Sequence, residues 1–194
     1  MITIEQIKQL RQETDVSYIE CKKALEQVNG DIEQAKEILR KWGRDLAGKK
    51  SNREVNNGII ESYIHPNKKI GALIEIRCET DFVAKSEQFQ TLAHEICLQI
   101  TASNPLFLKE EDIPKNILDK EEKICHEQIK GSGKPEEIIN QIIQGKIKKY
   151  KQRVCLLSQN YIKDESKTIS DVINKYVAKL GENIAVKKFT RYEI

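Results

Sequence analysis

The stretch IGALIEIRC, Ile70–Cys78, alternates apolar residues with others at the two-residue period of a β-strand that buries one face. The positions on that face are Ile70, Ala72, Ile74, Ile76 and Cys78. A second apolar stretch, residues 59–65, precedes it across the turn-forming residues 66–69. Together the two stretches predict a β-hairpin with one buried face, on which the rest of a core domain is expected to pack.

A helical stripe follows the hairpin, after a short loop predicted over residues 79–85. Ser86 is a good N-cap because its hydroxyl can accept a hydrogen bond from the first helical turn. The apolar residues that then recur at helical spacing are Phe89, Leu92, Ala93, Ile96, Cys97 and Ile100. We expect this helix to end at Asn104-Pro105 and to pack on the sheet.

Helices and strands continue to the C-terminus. The predicted elements are a helix bearing Ile117 and Cys125 that runs toward Gly131-Ser132-Gly133, a helix whose first position is Pro135 and which passes Gly145 toward Tyr150, a strand over 154–157, a helix over 168–180 and a final strand from Ile184. Strands separated by helices indicate an α+β domain. We therefore predict a small antiparallel three-stranded sheet packed with helices.

Three short helical patterns fill the N-terminal region. Each has a start signal: capping boxes at Thr3 and Ser17, and an N-cap at Asp31. Asn29-Gly30 suits the left-handed turn after the second helix, and Trp42-Gly43 is predicted to end the third. We therefore expect a three-helix module at 1–45, a polar linker at 46–57 and an α+β core domain at 58–194.

Composition bounds the class of protein. The 194 residues are 39% apolar and 32% charged, which predicts a folded chain. A net charge of +3 gives no reason to expect direct binding to nucleic acid or to a membrane. The five cysteines are scattered singly, which favours free thiols in a reducing compartment. Since the N-terminus lacks the features of a signal peptide, we expect a cytoplasmic protein. We also expect it to use no metal and no cofactor.

Residues 79–85, ETDFVAK, resemble the T-D-F-V-A-[KR] signature of the elongation factor Ts family. Other segments resemble motifs of that family in order and spacing: Cys21-Lys22-Lys23-Ala24-Leu25, Asn29-Gly30-Asp31, Ser62-Tyr63-Ile64-His65, Gly133-Lys134-Pro135, Glu182-Asn183-Ile184-Ala185-Val186 and Arg191-Tyr192-Glu193. The resemblance spans the chain, whose length matches the short form of the family. It implies a ubiquitin-associated-like N-terminal module and a homodimer.

The resemblance also implies a function. Such a protein is a guanine nucleotide exchange factor for elongation factor Tu and not an enzyme: it binds the GDP-bound and nucleotide-free partner and promotes GDP release until GTP rebinds. The implied contact residues are Thr80, Asp81, Phe82 and Val83 at a tip that displaces Mg²⁺ from the partner, Leu10, Tyr18 and Ile19 against the partner's nucleotide domain, and His65 against another of its domains.

Two segments depart from the family pattern. A glycine-rich turn, T-G-x-G, stands in the family where this chain has Thr14-Asp15-Val16-Ser17, and Asp and Ser adopt positive φ less freely than Gly. Ser86 replaces an Asn after the signature lysine, and either residue caps a helix. The first change bears on the geometry of Tyr18 and Ile19.

Taken without the motifs, several of these residues have ordinary explanations. Phe82 would be a core aromatic at a helix start, His65 a surface histidine, and Cys125-His126 a pair with no spacing for a metal site. The basic residues of the late helix, Lys146, Lys148, Lys149, Lys151 and Arg153, suit a solvated helix C-terminus. A helical adapter or RNA-binding module is therefore the alternative function. A hydrolase or transferase is a distant third because no nucleophile, Walker or H-E-x-x-H motif is present.

Overall fold

A three-stranded antiparallel sheet, with the predicted stretch Ile70–Cys78 as its middle strand, carries the main core of the fold. The structure, a computed structural model, describes residues 2–14, 16–129 and 135–194. Its helices are α1 Ile4–Thr14, α2 Tyr18–Gln27, α3 Ile32–Lys50, α4 Asp81–Ala84, α5 Glu87–Ser103, α6 Lys115–Ile129, α7 Glu136–Val154 and α8 Ile169–Leu180. Its strands are β1 Asn57–Ile64, β2 Ile70–Cys78, β3 Asn160–Tyr161, β4 Asp164–Thr168 and β5 Ile184–Glu193. The predicted α+β class and three-stranded sheet are confirmed.

The inner face of the sheet carries the main core. On β2, Ile74, Ile76 and Cys78 are fully buried, whereas the intervening Glu75 and Arg77 are half-buried and Leu73 is exposed, so the predicted alternation is confirmed. Helix α5 covers this face, and all six apolar residues of its predicted stripe are inaccessible to solvent. Asn104 ends α5 in the left-handed conformation, one residue before Pro105.

The N-terminal helices surround a separate apolar cluster built on Ile7, Leu10, Leu25, Ala35 and Leu39. The predicted start signals form hydrogen bonds: the Gln6 amide donates to Thr3 Oγ1 at 3.2 Å, the Glu20 amide to Ser17 Oγ at 3.3 Å, and the Gln34 amide to Asp31 Oδ1 at 3.0 Å. The Glu20 carboxylate pairs with Lys23 instead of completing a capping box. Ile4, predicted on the buried face, is 58% exposed.

The prediction that α3 ends at Trp42-Gly43 is wrong. The helix continues to Lys50, because packing of α3 against α8 outweighs the low helix propensity of one glycine. A Cβ at Gly43 would make only ordinary contact, 3.8 Å from Ala178 Cβ. Arg44 Nη2 also pairs with Asp171 Oδ1 at 2.6 Å. Residues 46–50 of the predicted linker are therefore helix, and α3 joins the N-terminal helices to the core.

The predicted strand over 154–157 is also wrong. Val154 is the last residue of α7, Cys155 makes an isolated bridge to Phe107, and Leu156–Ser158 form a 3-10 turn. Buried apolar side chains rather than strand pairing explain the pattern. The short pair β3 and β4 was not predicted. Pro135 is the N-cap of α7, one position before its predicted place, and Gly131-Ser132-Gly133 and Gly133-Lys134 lie outside the described residues.

Within the described ranges, no helix combines the length and apolar character needed to cross a membrane.

Candidate functional site

The predicted loop at 79–85 contains one helical turn, α4, which presents an aromatic side chain to solvent. Thr80 is its N-cap: Thr80 Oγ1 accepts a hydrogen bond from the Val83 amide at 3.3 Å. Val83 and Ala84 are buried against the sheet, while Phe82 is 82% exposed. Since burying Phe82 would gain roughly 1.5–3 kcal/mol, this exposure leaves a large apolar contact for a partner. We call residues 79–85 the tip.

Asp81 adds a negative charge beside Phe82. Lys85 Nζ donates to Asp81 Oδ2 at 2.7 Å, with both side chains well exposed. This hydrogen bond and the charge of Lys85 lower the pKa of Asp81 below its ordinary value. The tip therefore presents an ionised carboxylate and an apolar ring side by side at neutral pH.

Glu182 holds the base of the tip. The Thr80 amide donates to Glu182 Oε2 at 3.0 Å, and Thr80 Oγ1 donates to Glu182 Oε1 at 2.6 Å. Glu182 lies between Gly181, the left-handed C-cap of α8, and β5. The residue that leads into the C-terminal strand thus fixes Thr80, the N-cap of α4, through both oxygens of one carboxylate.

Glu79, the first residue of the tip, in turn binds the segments before β5 and after α3. Glu79 Oε1 accepts from the Asn183 amide at 2.6 Å, and Arg53 Nη1 lies 3.4 Å from Glu79 Oε2. The buried Asn183 side chain donates to the Ser51 and Arg53 carbonyls at 3.3 and 2.9 Å, just beyond the end of α3. The tip, the start of β5 and the segment after α3 therefore share one hydrogen-bonded network.

The candidate residues of the N-terminal helices divide into two kinds. Tyr18 and Ile19 begin α2 and are 43% and 63% exposed, so both can reach a partner. Leu10 is fully buried and packs in the cluster beneath them. Its side chain supports the helices and is not on the surface for direct contact. Asp15, in the altered turn before α2, lies outside the described residues.

His65 lies at the opposite end of the hairpin from the tip. Its amide donates to the Ile70 carbonyl at 2.9 Å, and its Nδ1 accepts from the Asn67 amide at 3.3 Å. Residues Asn57 and Cys78 pair at the tip end, and Ile64 and Gly71 at the turn. At about 3.3 Å per residue, the seven steps between these pairs separate His65 from the tip by roughly 20 Å. The two cannot form one contact patch.

The supporting roles of Glu79, Glu182 and Asn183 were not predicted, although these residues lie in two of the family-like motifs. Their contacts span more than a hundred positions of sequence, for example 104 between Glu79 and Asn183. All three are polar residues beside turns, and no sequence pattern indicated that they would form these contacts. Across the described residues, no three or more His, Cys, Asp or Glu side chains are grouped so as to hold a metal ion.

Comparison with known proteins gives a consistent result. The family model described as Elongation factor TS matches residues 3–194. The chain is 48% identical to Elongation factor Ts of Thermosipho melanesiensis, over 100% of this chain and 99% of the relative. It is 45% identical to Elongation factor Ts of Caldanaerobacter subterraneus subsp. tengcongensis and 47% to that of Thermotoga maritima, in each case over 100% of this chain and 96% of the relative. The chain therefore belongs to the elongation factor Ts family.

Proposed function

We propose that this chain is a guanine nucleotide exchange factor for elongation factor Tu and performs no covalent chemistry itself. The observation that carries the proposal is Phe82, an 82% exposed aromatic on a helical turn that is fixed at its base by Glu182. An exposed aromatic on a fixed support is suited to enter a partner, because little conformational freedom is lost on binding. Membership of the family supplies the identity of the partner.

Displacement of the partner's Mg²⁺ is the proposed mechanism. A GTPase holds its nucleotide with backbone amides and with Mg²⁺, which demands near-ideal octahedral coordination. Phe82 enters between structural elements of the nucleotide domain, and Asp81 places a negative charge near the Mg²⁺ region. Burying one Phe yields roughly 1.5–3 kcal/mol, equivalent to about one to two decades in affinity. This energy offsets the cost of distorting the nucleotide site.

The exposed pair Tyr18 and Ile19 forms a second proposed contact with the nucleotide domain. Leu10 contributes indirectly, since it packs under α2 and sets the position of this pair. His65, on the exposed hairpin turn, is proposed to reach another domain of the partner. These contacts add affinity while the tip disturbs the nucleotide.

Thermodynamic linkage limits what such a protein can do. If the factor weakens GDP binding by a given ratio, GDP weakens binding of the factor by the same ratio. The factor therefore accelerates exchange without determining which nucleotide rebinds. GTP replaces GDP through its supply, and no acid, base or nucleophile is required.

We also propose that the chain works as a homodimer in the cytoplasm. The outer face of the sheet exposes Ile60 and Ile64 of β1, Leu73 of β2 and Tyr192 of β5. Gly71 pairs with both Ile64 and Tyr192, so these two large side chains flank a gap on the middle strand, near the hairpin turn. Such an apolar surface favours burial against another copy. The five cysteines are buried free thiols, as suits a reducing compartment.

The test is release of a fluorescent GDP from elongation factor Tu, with unlabelled nucleotide in excess. A substoichiometric amount of the chain should accelerate release by orders of magnitude, and added GDP should weaken its binding. A folded chain that leaves the release rate unchanged contradicts the proposal. Salt-dependent binding to RNA in the same preparation would then favour the alternative function.

A further inference from the structure

We propose that Glu182 is a positioning residue for nucleotide exchange: its carboxylate fixes the direction in which the tip presents Phe82. This inference rests on the proposed exchange function and assigns a role to a residue outside the tip. Glu182 acts through Thr80 and has no need to touch the partner.

The polar groups of Thr80 are all engaged. Its amide and hydroxyl donate to the two oxygens of Glu182, and the hydroxyl also accepts from the Val83 amide. Its carbonyl accepts from Cys78 Sγ at 3.1 Å and from the Ala84 amide at 3.2 Å. Thr80 is thus the joint between β2 and α4, and Glu182 supplies the part of its restraint that comes from another element.

Strand pairing does not provide this restraint. The last pair between β2 and β5 is Cys78 with Ile184, so Thr80 lies beyond the ladder. Helix α4 has 4 residues, and an isolated helical turn is unstable in water. Burial of Val83 and Ala84 holds the C-terminal half of α4 in place. Without Glu182, Thr80 itself would keep only local contacts, and the remaining tie to the start of β5 would lie one residue earlier, where the Asn183 amide donates to Glu79 Oε1. The ring of Phe82 is too exposed to be fixed by its own contacts.

The geometry requires a carboxylate of this length. Both oxygens of Glu182 accept from donors on Thr80, and an ionised carboxylate only accepts. In Glu182→Gln the side chain has the same size but is neutral: its oxygen can accept from the Thr80 amide, while its amide nitrogen can only donate to Thr80 Oγ1, which no longer donates to Glu182. The substitution therefore replaces two hydrogen bonds to a carboxylate with weaker neutral ones and leaves Asp81, Phe82 and the strand ladder unchanged.

The experiment compares the maximal rate of fluorescent GDP release from elongation factor Tu at saturating factor. The proteins are wild type, Glu182→Gln and the matched control Glu165→Gln, whose position in β4 is exposed and away from the tip. Weakening of the two charge-assisted hydrogen bonds should lower the maximal rate about five- to tenfold in Glu182→Gln. The half-saturating concentration should change less than about twofold, because Tyr18 and Ile19 remain in place. Glu165→Gln should match wild type.

A double-mutant cycle separates positioning from general stability. If Glu182 acts through the tip, Glu182→Gln should have almost no effect on the maximal rate in a Phe82→Ala background. Equal maximal rates for folded Glu182→Gln and wild type, or the same fold-loss in both backgrounds, would overturn the role of Glu182. A wild-type chain that fails to release GDP would overturn the proposed function as well, so the two failures are distinguishable.

Discussion

Thr80 and Glu182 are 102 residues apart in the chain and are joined by two hydrogen bonds, at 3.0 and 2.6 Å. Thr80 is the N-cap of α4 in the tip, and Glu182 lies in the connection between α8 and the last strand of the sheet. The position of the exposed Phe82 therefore depends on the segment before the last strand as well as on the hairpin that precedes the tip. This arrangement lets an apolar side chain remain in water with a defined direction.

The two aromatic residues Phe82 and Phe89 should differ sharply in their effect on stability. Phe89 is fully buried under the sheet, so Phe89→Ala should lower the free energy of unfolding by about 3–5 kcal/mol. Phe82→Ala should change it by less than about 0.5 kcal/mol because the ring contacts mainly solvent. Urea unfolding measures both. A strongly destabilised Phe82→Ala protein would show that this residue belongs to the core.

Two glycines should respond in opposite directions to alanine. A Cβ at Gly58 would overlap the Ile76 carbonyl oxygen and lie 2.8 Å from Arg77 Cα, so Gly58→Ala should destabilise the hairpin. Gly145 lies in the exposed middle of α7 with nothing near a Cβ, so Gly145→Ala should stabilise by about 0.5–1 kcal/mol. Thermal melts of both proteins check this. A stable Gly58→Ala protein would contradict the observed strand pairing.

Asp171 links α3 to α8 and should make stability depend on pH. Burial alone would raise its pKa, but hydrogen bonds from Thr168 and from Arg44 lower the pKa below its ordinary value. A lowered pKa in the folded state stabilises the protein above the unfolded-state pKa of about 3.9, and this contribution is lost as pH falls through the folded value. Asp171→Asn should therefore be less stable than wild type by about 1–2 kcal/mol at neutral pH.

Denaturant unfolding across the acid range tests the sign of this effect. The difference between Asp171→Asn and wild type should shrink toward low pH, and the exposed Asp119→Asn should show little difference at any pH. A difference that grows on acidification would contradict the assignment.

The outer face of the sheet should determine the oligomeric state. Leu73→Lys places a charge at the middle of the proposed dimer interface and should convert the protein to a monomer without unfolding it, because Leu73 is 47% exposed. Ile138→Lys, at a 41% exposed position on α7, is the control and should remain dimeric. Light scattering at micromolar concentration gives the masses. A monomeric wild type, or a dimeric Leu73→Lys, would contradict this interface.

Regular elements with a clear period could be predicted from sequence. The alternation in β2 has the period and length of a strand. The stripe from Phe89 to Ile100 has the period of a helix and follows a clear N-cap at Ser86. The continuation of α3 past Gly43 could not be predicted, because a glycine within a helix resembles a helix end until a neighbouring helix is known. The apolar residues after Val154 similarly resemble a strand, although they pack in a turn.

The candidate site was only partly predictable for a related reason. Asp81 and Phe82 stand in a motif specific enough to single them out. Their exposure, the burial of Leu10 and the contact of Glu182 with Thr80 depend on which segments meet in three dimensions. Contacts between residues a hundred positions apart leave no local pattern, so the support of the tip became visible only in the structure.

The most direct test of the central claim is the maximal rate of GDP release from elongation factor Tu with saturating wild-type chain and with Phe82→Ala. Loss of one buried Phe contact should slow release by about one to two decades. The folded variant should retain the thermal stability of wild type. Equal rates for the two proteins would contradict the claim that Phe82 at the tip drives exchange.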